Sequence, residues 1–539
     1  MSIVTPYLAF AQKARSRPDL PFLIAPASAG LPYAPDGFHL TYGSVLEAVE
    51  TLKAAFRQAG YGQGCRVALL LQNRPEFFVH WLALNGLGVS IVPINSDMRP
   101  EELRFQLEVS KARLLIALPE FAALADTAGC SDVAICFPGQ PIAPAPDAAT
   151  EFEGIADTEC ALLFTSGSTG LPKACILTNT YFMTLADWYV NQGGIADMGE
   201  DCEIALTPLP MFHMNALGCT TVGMIVKGGA VVPLDRFHAS RWWQTVTDSG
   251  ATIVHCLGVI PAILLQLPVS DAERAHKARF TLGPGVDARH KVAFEERFNL
   301  PIVEAWAMTE TGGAAVTSTA RDAYQPGLRC IGRPREGMQY RIVDDAGLDV
   351  AGRVPGELLV RSAGDDPRRG FFSGYLGDAA ATQEAWTDGW FHTGDVVYED
   401  EGGLLYFFDR KKSIVRRSGE NIAVLEVEAA LLADPMIETA AVAPVPDDIR
   451  GEEVFAFVVL KPSAIAGRDR ALAILHTAAA RLSYHKLPGF MVFVERLPVS
   501  STQKLQRGVL KSQAGNLVAS GDALDLRSDK AKARHVAHS

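Results

Sequence analysis

Short, largely apolar and β-branched runs alternate with stretches of helical periodicity from the N-terminus to about residue 400, and this alternation constrains the fold more than any other feature. Arg66-Val67-Ala68-Leu69-Leu70-Leu71 and Val89-Ser90-Ile91-Val92-Pro93-Ile94 are two such runs. A strand that is apolar along its whole length must be covered on both faces, and intervening helices supply the cover. The pattern therefore predicts parallel sheets flanked by helices. At 539 residues the chain exceeds one core, so about two to four structural units are expected.

The texture changes around Gly402 to Arg417. Asp409-Arg410-Lys411-Lys412-Ser413 and Arg416-Arg417-Ser418-Gly419 concentrate charge, and Glu426-Val427-Glu428-Ala429-Ala430-Leu431-Leu432 then begins an amphipathic helix. Beyond it the order reads strand (440–445), strand (454–460), helix (469–482) and strand (491–494), enough for a small α+β domain. The expected organisation is α/β: a large N-terminal domain of helix-covered sheets over 1–409, and a small mobile α+β domain over 410–516. The tail 517–539, polar and rich in Ala, Lys and Arg, is expected to be disordered.

Composition removes several function classes. A formal net charge of −12 gives no electrostatic support for nucleic-acid binding, and 48% hydrophobic with 20% charged residues argues against disorder. Nine scattered cysteines without a C-x-x-C pair suit reduced thiols and a cytoplasmic setting. Met1 to Leu20 carries no charged stretch followed by an apolar one, so a signal segment is not expected there. The apolar stretch from Phe77 to Ile94 is interrupted by His80, Asn85, Gly86, Gly88 and Pro93, which argues against a membrane span.

Any phosphate ligand must then be held by local donors, and one loop is built for that. Thr165-Ser166-Gly167-Ser168-Thr169-Gly170-Leu171-Pro172-Lys173 follows the apolar run Ala161-Leu162-Leu163-Phe164. Two glycines let backbone N–H groups converge on an anion, and four hydroxyls and a lysine add donors. A Walker A loop is disfavoured. The Gly167 to Lys173 spacing differs, Pro172 precedes the lysine, and Ala174 follows it where a magnesium-binding hydroxyl belongs.

The string resembles the phosphate loop of the adenylate-forming superfamily of acyl- and aryl-CoA synthetases, luciferases and peptide-synthetase adenylation domains. Four further blocks resemble that superfamily in its own order. Trp306-Ala307-Met308-Thr309-Glu310-Thr311 is similar to its aromatic-G-x-T-E motif, with Ala307 where glycine is usual. The resemblance implies that Trp306 stacks on adenine, Thr309 contacts the α-phosphate, Glu310 binds magnesium and the Ala307 methyl narrows the acyl pocket. Asp388-Gly389-Trp390-Phe391-His392-Thr393-Gly394-Asp395, following Gly374-Tyr375, implies ribose binding by Asp395. The Asp409 to Glu428 region assigns Arg410 to the ribose, Lys412 to a hinge and Gly419 to the thiol channel, with Lys411, Arg416 and Arg417 as partners of the CoA phosphates. Pro498-Val499-Ser500-Ser501-Thr502-Gln503-Lys504-Leu505-Gln506-Arg507 resembles P-x-T-x-x-G-K-x-x-R, making Lys504 the catalytic lysine despite Gln503 in place of glycine.

Two weaker matches complete the set. Pro210-Met211-Phe212-His213 resembles the P-x-F-H segment at the acyl pocket, and Gly283-Pro284-Gly285 occupies the place of an adenine-contacting turn. His213, Asn215, His255 and Ala307, with Tyr189, are expected around the acyl group, while Trp188, Trp242 and Trp243 suit the core. The nearest subgroup by eye is the carnitine- and crotonobetaine-type CoA ligases.

The implied activity is ATP- and magnesium-dependent conversion of a carboxylic acid to an acyl-adenylate with release of pyrophosphate. Transfer of the acyl group to CoA follows. An adenylating enzyme that loads a carrier protein is the alternative. A nucleotide-binding regulatory or hydrolytic protein would keep the phosphate loop without needing Lys504.

Overall fold

The computed structural model describes residues 4–145, 155–165, 172–257, 260–286, 288–322, 329–411, 413–417, 420–447, 450–482, 484–499 and 505–530. Two of its four sheets follow from the apolar runs. Arg66–Leu70 lies between the parallel strands Ser90–Pro93 and Leu114–Ala117, and Glu159–Thr165 continues the sheet beyond Ser90–Pro93. Every residue of Ser90–Pro93 is buried, as a strand covered on both faces must be. The second sheet runs Ile302–Val303, Phe280–Leu282, Ile253–His255, Ile204–Thr207, Ala230–Pro233, Pro21–Pro26 and Gly37–Thr41, parallel except at its last edge. Trp242 and Trp243 lie in one core cluster, Trp243 against Phe294 and Phe298 and Trp242 against Phe237.

The third sheet departs from the parallel expectation. Its eight strands, from Ala305–Trp306 through Leu405–Arg410 and Trp390–Glu399 to Met338–Val343, are antiparallel. Strands such as Met338–Val343 expose part of their length, so no covering helix is needed on that face. Asp395 and Arg410 stand directly opposite each other in this sheet.

The fourth sheet belongs to the C-terminal part. Ile437–Asp447 and Gly451–Leu460 form its long antiparallel pair, Phe490–Phe493 adds in parallel, and the helices Val424–Leu431 and Arg468–Ala479 pack over it. These five elements fall where the pattern predicts them. A hairpin of Ile414–Arg417 and Glu420–Ala423 was not foreseen.

The disordered tail is corrected as far as residue 530. The helix Arg507–Ser520 buries Leu510 and Ala514 against Val445, Phe455 and Phe457, and Leu517 extends the same face at helical spacing. Leu524–Asp525 then pairs with Phe490–Phe493, and Leu526 and Lys530 are fully buried. The Ala, Lys and Arg content misled because the apolar residues are few but share one face. Among the described residues, no helix is long and apolar enough to cross a membrane.

Candidate active site

A cleft of about 2500 Å³ opens between the three N-terminal sheets and the C-terminal helix Arg507–Ser520. Its walls include Thr165, Lys173, His213, Asn215, Gly285, Trp306, Ala307, Thr309, Glu310 and Arg410. Residues brought together across 245 positions of sequence thus face one space. Ser166, Gly167, Ser168, Thr169 and Gly170 lie outside the described residues.

Trp306 and Asp395 form the best-defined pair. The Trp306 indole Nε1–H donates to Asp395 Oδ2 at 2.8 Å, while Arg410 Nε lies 3.2 Å from Oδ1. Both Trp306 and Asp395 are buried, whereas the Arg410 side chain is 66% exposed. Burial raises the Asp395 carboxyl above the usual range, opposed by the Arg410 guanidinium and the indole N–H. Oδ1 is buried and receives no hydrogen bond among the described residues. A carboxylate oxygen in that state fits a hydroxyl donor such as a ribose offers.

Glu310 is anchored from two sides. Its Oε1 accepts the Tyr375 hydroxyl at 2.9 Å, and its carbonyl accepts Phe372 N–H. Lys173 lies 4.8 Å from the centre of the Tyr375 ring and 3.7 Å from Asp378 Oδ2, so the lysine, the tyrosine and the glutamate form one chain along the cleft. The described residues contain no group of three or more metal-ligating side chains. A lone carboxylate beside phosphate-binding donors fits magnesium, which is commonly shared between one or two carboxylates and substrate phosphates.

Asn215 on the cleft wall leads to a buried histidine. His255 is fully buried: its Nε2 lies 2.6 Å from the Tyr189 hydroxyl and its Nδ1 2.7 Å from Asn215 Oδ1. Burial pushes its pKa down to about 3, so the ring is uncharged at neutral pH. The His213 ring packs tilted against Phe212, with centroids 4.6 Å apart, and the His213 backbone N–H donates to Pro210 O at 3.1 Å. Trp188, although largely buried, also reaches the cleft. At Gly283 a Cβ would meet Ile302 at 2.9 Å, and Gly285 takes φ +74°, which explains both glycines of that turn. Gly285 N–H donates to Glu304 Oε1 at 2.6 Å; burial raises the Glu304 carboxyl to about 7, with the Gly285 N–H opposing.

The chain matches the AMP-binding enzyme family over residues 10–376 and the AMP-binding enzyme C-terminal domain over residues 426–504. It belongs to the AMP-binding enzyme family. The chain is 31% identical to a sulfoacetate–CoA ligase of Cupriavidus necator, covering 94% of this chain and 97% of that one. A crotonobetaine/carnitine–CoA ligase of Proteus mirabilis is 29% identical, covering 86% and 92%. Among solved structures, an anthranilate CoA ligase in complex with anthranoyl-AMP superposes with a TM-score of 0.80 at 22% identity, covering 96% of this chain and 99% of that one. An o-succinylbenzoate CoA synthetase from Bacillus subtilis superposes with a TM-score of 0.78 at 24% identity, covering 93% and 97%. These two likenesses establish the fold.

One sequence assignment in this AMP-binding enzyme is corrected. Arg417 is not available to a CoA phosphate. Its side chain is 3% exposed, its Nε bonds Glu453 Oε2 at 2.8 Å, and its guanidinium lies over the Tyr484 ring. A charge buried with its own counter-ion is already neutralised. Lys411 is held by Glu357 at 2.7 Å. Lys412, Gly419, Lys504 and the side chain of Arg416 lie outside the described residues. Sequence reading missed Glu304 and the Tyr375 contact with Glu310. Glu304 stands between the short strands Ile302–Val303 and Ala305–Trp306, and a lone carboxylate among those apolar residues is the signal that could have found it.

Proposed function

We propose that this protein is an ATP-dependent acyl-CoA synthetase. A carboxylic acid attacks the α-phosphorus of ATP and expels pyrophosphate, and the CoA thiol then displaces AMP from the acyl-adenylate. What carries the reading is the meeting of Lys173, Glu310, Trp306 and Arg410 on one cleft, with Asp395 held directly behind Trp306 and Arg410, in a chain of this family.

In the first step, charge grows on phosphoryl oxygens and no enzyme nucleophile is required. The 165–173 loop and Lys504 meet that charge, Thr309 contacts the α-phosphate, and Asp395 with Arg410 holds the ribose while Trp306 covers the adenine. Magnesium at Glu310 supplies neutralisation of the phosphoryl charge. Rotation of the small domain about Lys412 then withdraws Lys504 and brings Gly419 to the thiol channel.

The test is pyrophosphate release with a panel of carboxylic acids, followed by thioester detection after CoA is added. Acid-dependent pyrophosphate release and CoA-dependent thioester are the expected results. ATP hydrolysis indifferent to added acid would overturn the reading.

A further inference from the structure

Behind Asn215 on the cleft wall lies a hydrogen-bond relay whose directions can be worked out from satisfaction alone. Tyr189 is fully buried, and its hydroxyl reaches only His255 Nε2 among the described residues. An imidazole that donated through Nε2–H would leave the tyrosine proton without an acceptor, at the full desolvation cost of a buried donor. The tyrosine therefore donates, Nε2 accepts, and the ring proton sits on Nδ1. That proton faces Asn215 Oδ1 at 2.7 Å, with Thr220 Oγ1 at 3.1 Å as a second acceptor. Asn215 must then turn its Nδ2 amide group away from the histidine.

The backbone fixes the same arrangement. Asn215 opens the π-helical segment Asn215–Val222, and every later residue of that segment is buried. The Thr220 hydroxyl donates to Asn215 O at 3.4 Å, and the Thr221 hydroxyl to Ala216 O at 2.8 Å. Such segments often occur at functional sites. Asn215 itself is half-buried and lines the cleft, and its Nδ2 has no protein partner among the described residues.

We propose that Asn215 presents two neutral N–H donors to the acyl group, and that the acid taken by this site carries an acceptor oxygen on its acyl chain rather than an apolar or trimethylammonium end. The proposal rests on the acid-activating reading above. A cation beside Asn215 would face its amide hydrogens, with no carboxylate in the relay to meet it.

The experiment compares shape-matched acids by acid-dependent pyrophosphate release. 4-Oxopentanoate is set against 4-methylpentanoate, with pairs one carbon shorter and longer, and 4-(trimethylammonio)butanoate is the cationic probe. The oxo acid of the best-fitting length is expected to exceed its methyl isostere in kcat/KM by roughly tenfold to a hundredfold, since the isostere leaves both amide hydrogens unmet. Asn215→Leu should collapse that ratio towards one. Tyr189→Phe should lower it as well, because the histidine can then change tautomer and the amide can turn over. Each ratio is taken within one preparation, so loss of folded protein cancels.

A wild-type preference for the methyl or trimethylammonium acid would overturn the proposal. An oxo preference unaltered by Asn215→Leu would do the same. If no acid supports pyrophosphate release, the acyl-activating reading falls first and this inference falls with it. Release by the acids without discrimination refutes this inference alone.

Discussion

Replacing Glu453 with glutamine should loosen the C-terminal sheet more than any other single change in it. Glu453 is fully buried in the strand Gly451–Leu460 and holds two cations: Arg417 Nε at 2.8 Å on Oε2 and Lys530 Nζ at 2.8 Å on Oε1. The lysine is 1% exposed and also donates to Leu487 O. Burial lowers its pKa to about 8, so it remains mostly charged at pH 7. Two cations and one anion leave the cluster with one excess positive charge. Removing the anion strands two buried cations side by side, and an uncompensated buried charge costs about 3–5 kcal/mol. Removing Lys530 instead leaves a balanced Arg417–Glu453 pair. Glu453→Gln should therefore cost more than Lys530→Met, and the double variant should cost less than the sum.

Amide hydrogen exchange in the full-length protein reads this directly. Local opening of Gly451–Leu460 and Phe490–Phe493 should speed exchange by about 10²- to 10³-fold in Glu453→Gln, while the Arg66–Leu70 strand stays unchanged. A larger effect from Lys530→Met, or less than tenfold acceleration in Glu453→Gln, would refute the charge-balance reasoning.

Three other outcomes are expected. Lys504→Ala should lose acid-dependent pyrophosphate release by several orders of magnitude yet convert supplied acyl-adenylate to thioester, and equal loss of both half-reactions would contradict its assignment. Glu310→Gln should raise the magnesium concentration needed for half-maximal pyrophosphate release; unchanged metal dependence places the ion elsewhere. Glu304 has a carboxyl raised from 4.5 to about 7, so the folded state holds its proton more tightly than the unfolded chain. Its contribution to stability is present below about pH 4.5 and is lost as pH rises to 7, amounting to roughly 3 kcal/mol across that window. Glu304→Gln should flatten that portion of the stability–pH curve measured without substrate, and parallel curves for the two proteins would exclude the assignment.

The fold class and the motif residues that meet on the cleft, such as Lys173, Trp306 and Glu310, were legible in the sequence because their signals are local. A buried strand such as Ser90–Pro93 is apolar at all but its first position, and a turn such as Gly283-Pro284-Gly285 needs its glycines where the backbone packs against Ile302 or takes positive φ. The antiparallel sheet carrying Asp395 opposite Arg410 could not be read the same way, since strand pairing joins partners that no short window contains.

Charged residues were the hardest to place. Arg417 reads as a solvated cation in a basic run, and Lys530 as part of a polar tail. Only the folded chain brings Glu453, 36 residues from one and 77 from the other, between them. His255 likewise takes its proton position from Tyr189 and Asn215, 66 and 40 residues away. Sequence fixes which groups a chain can offer. Whether a charge is buried, paired or presented to a ligand depends on desolvation and on partners within a few ångströms, and those are properties of the tertiary structure alone.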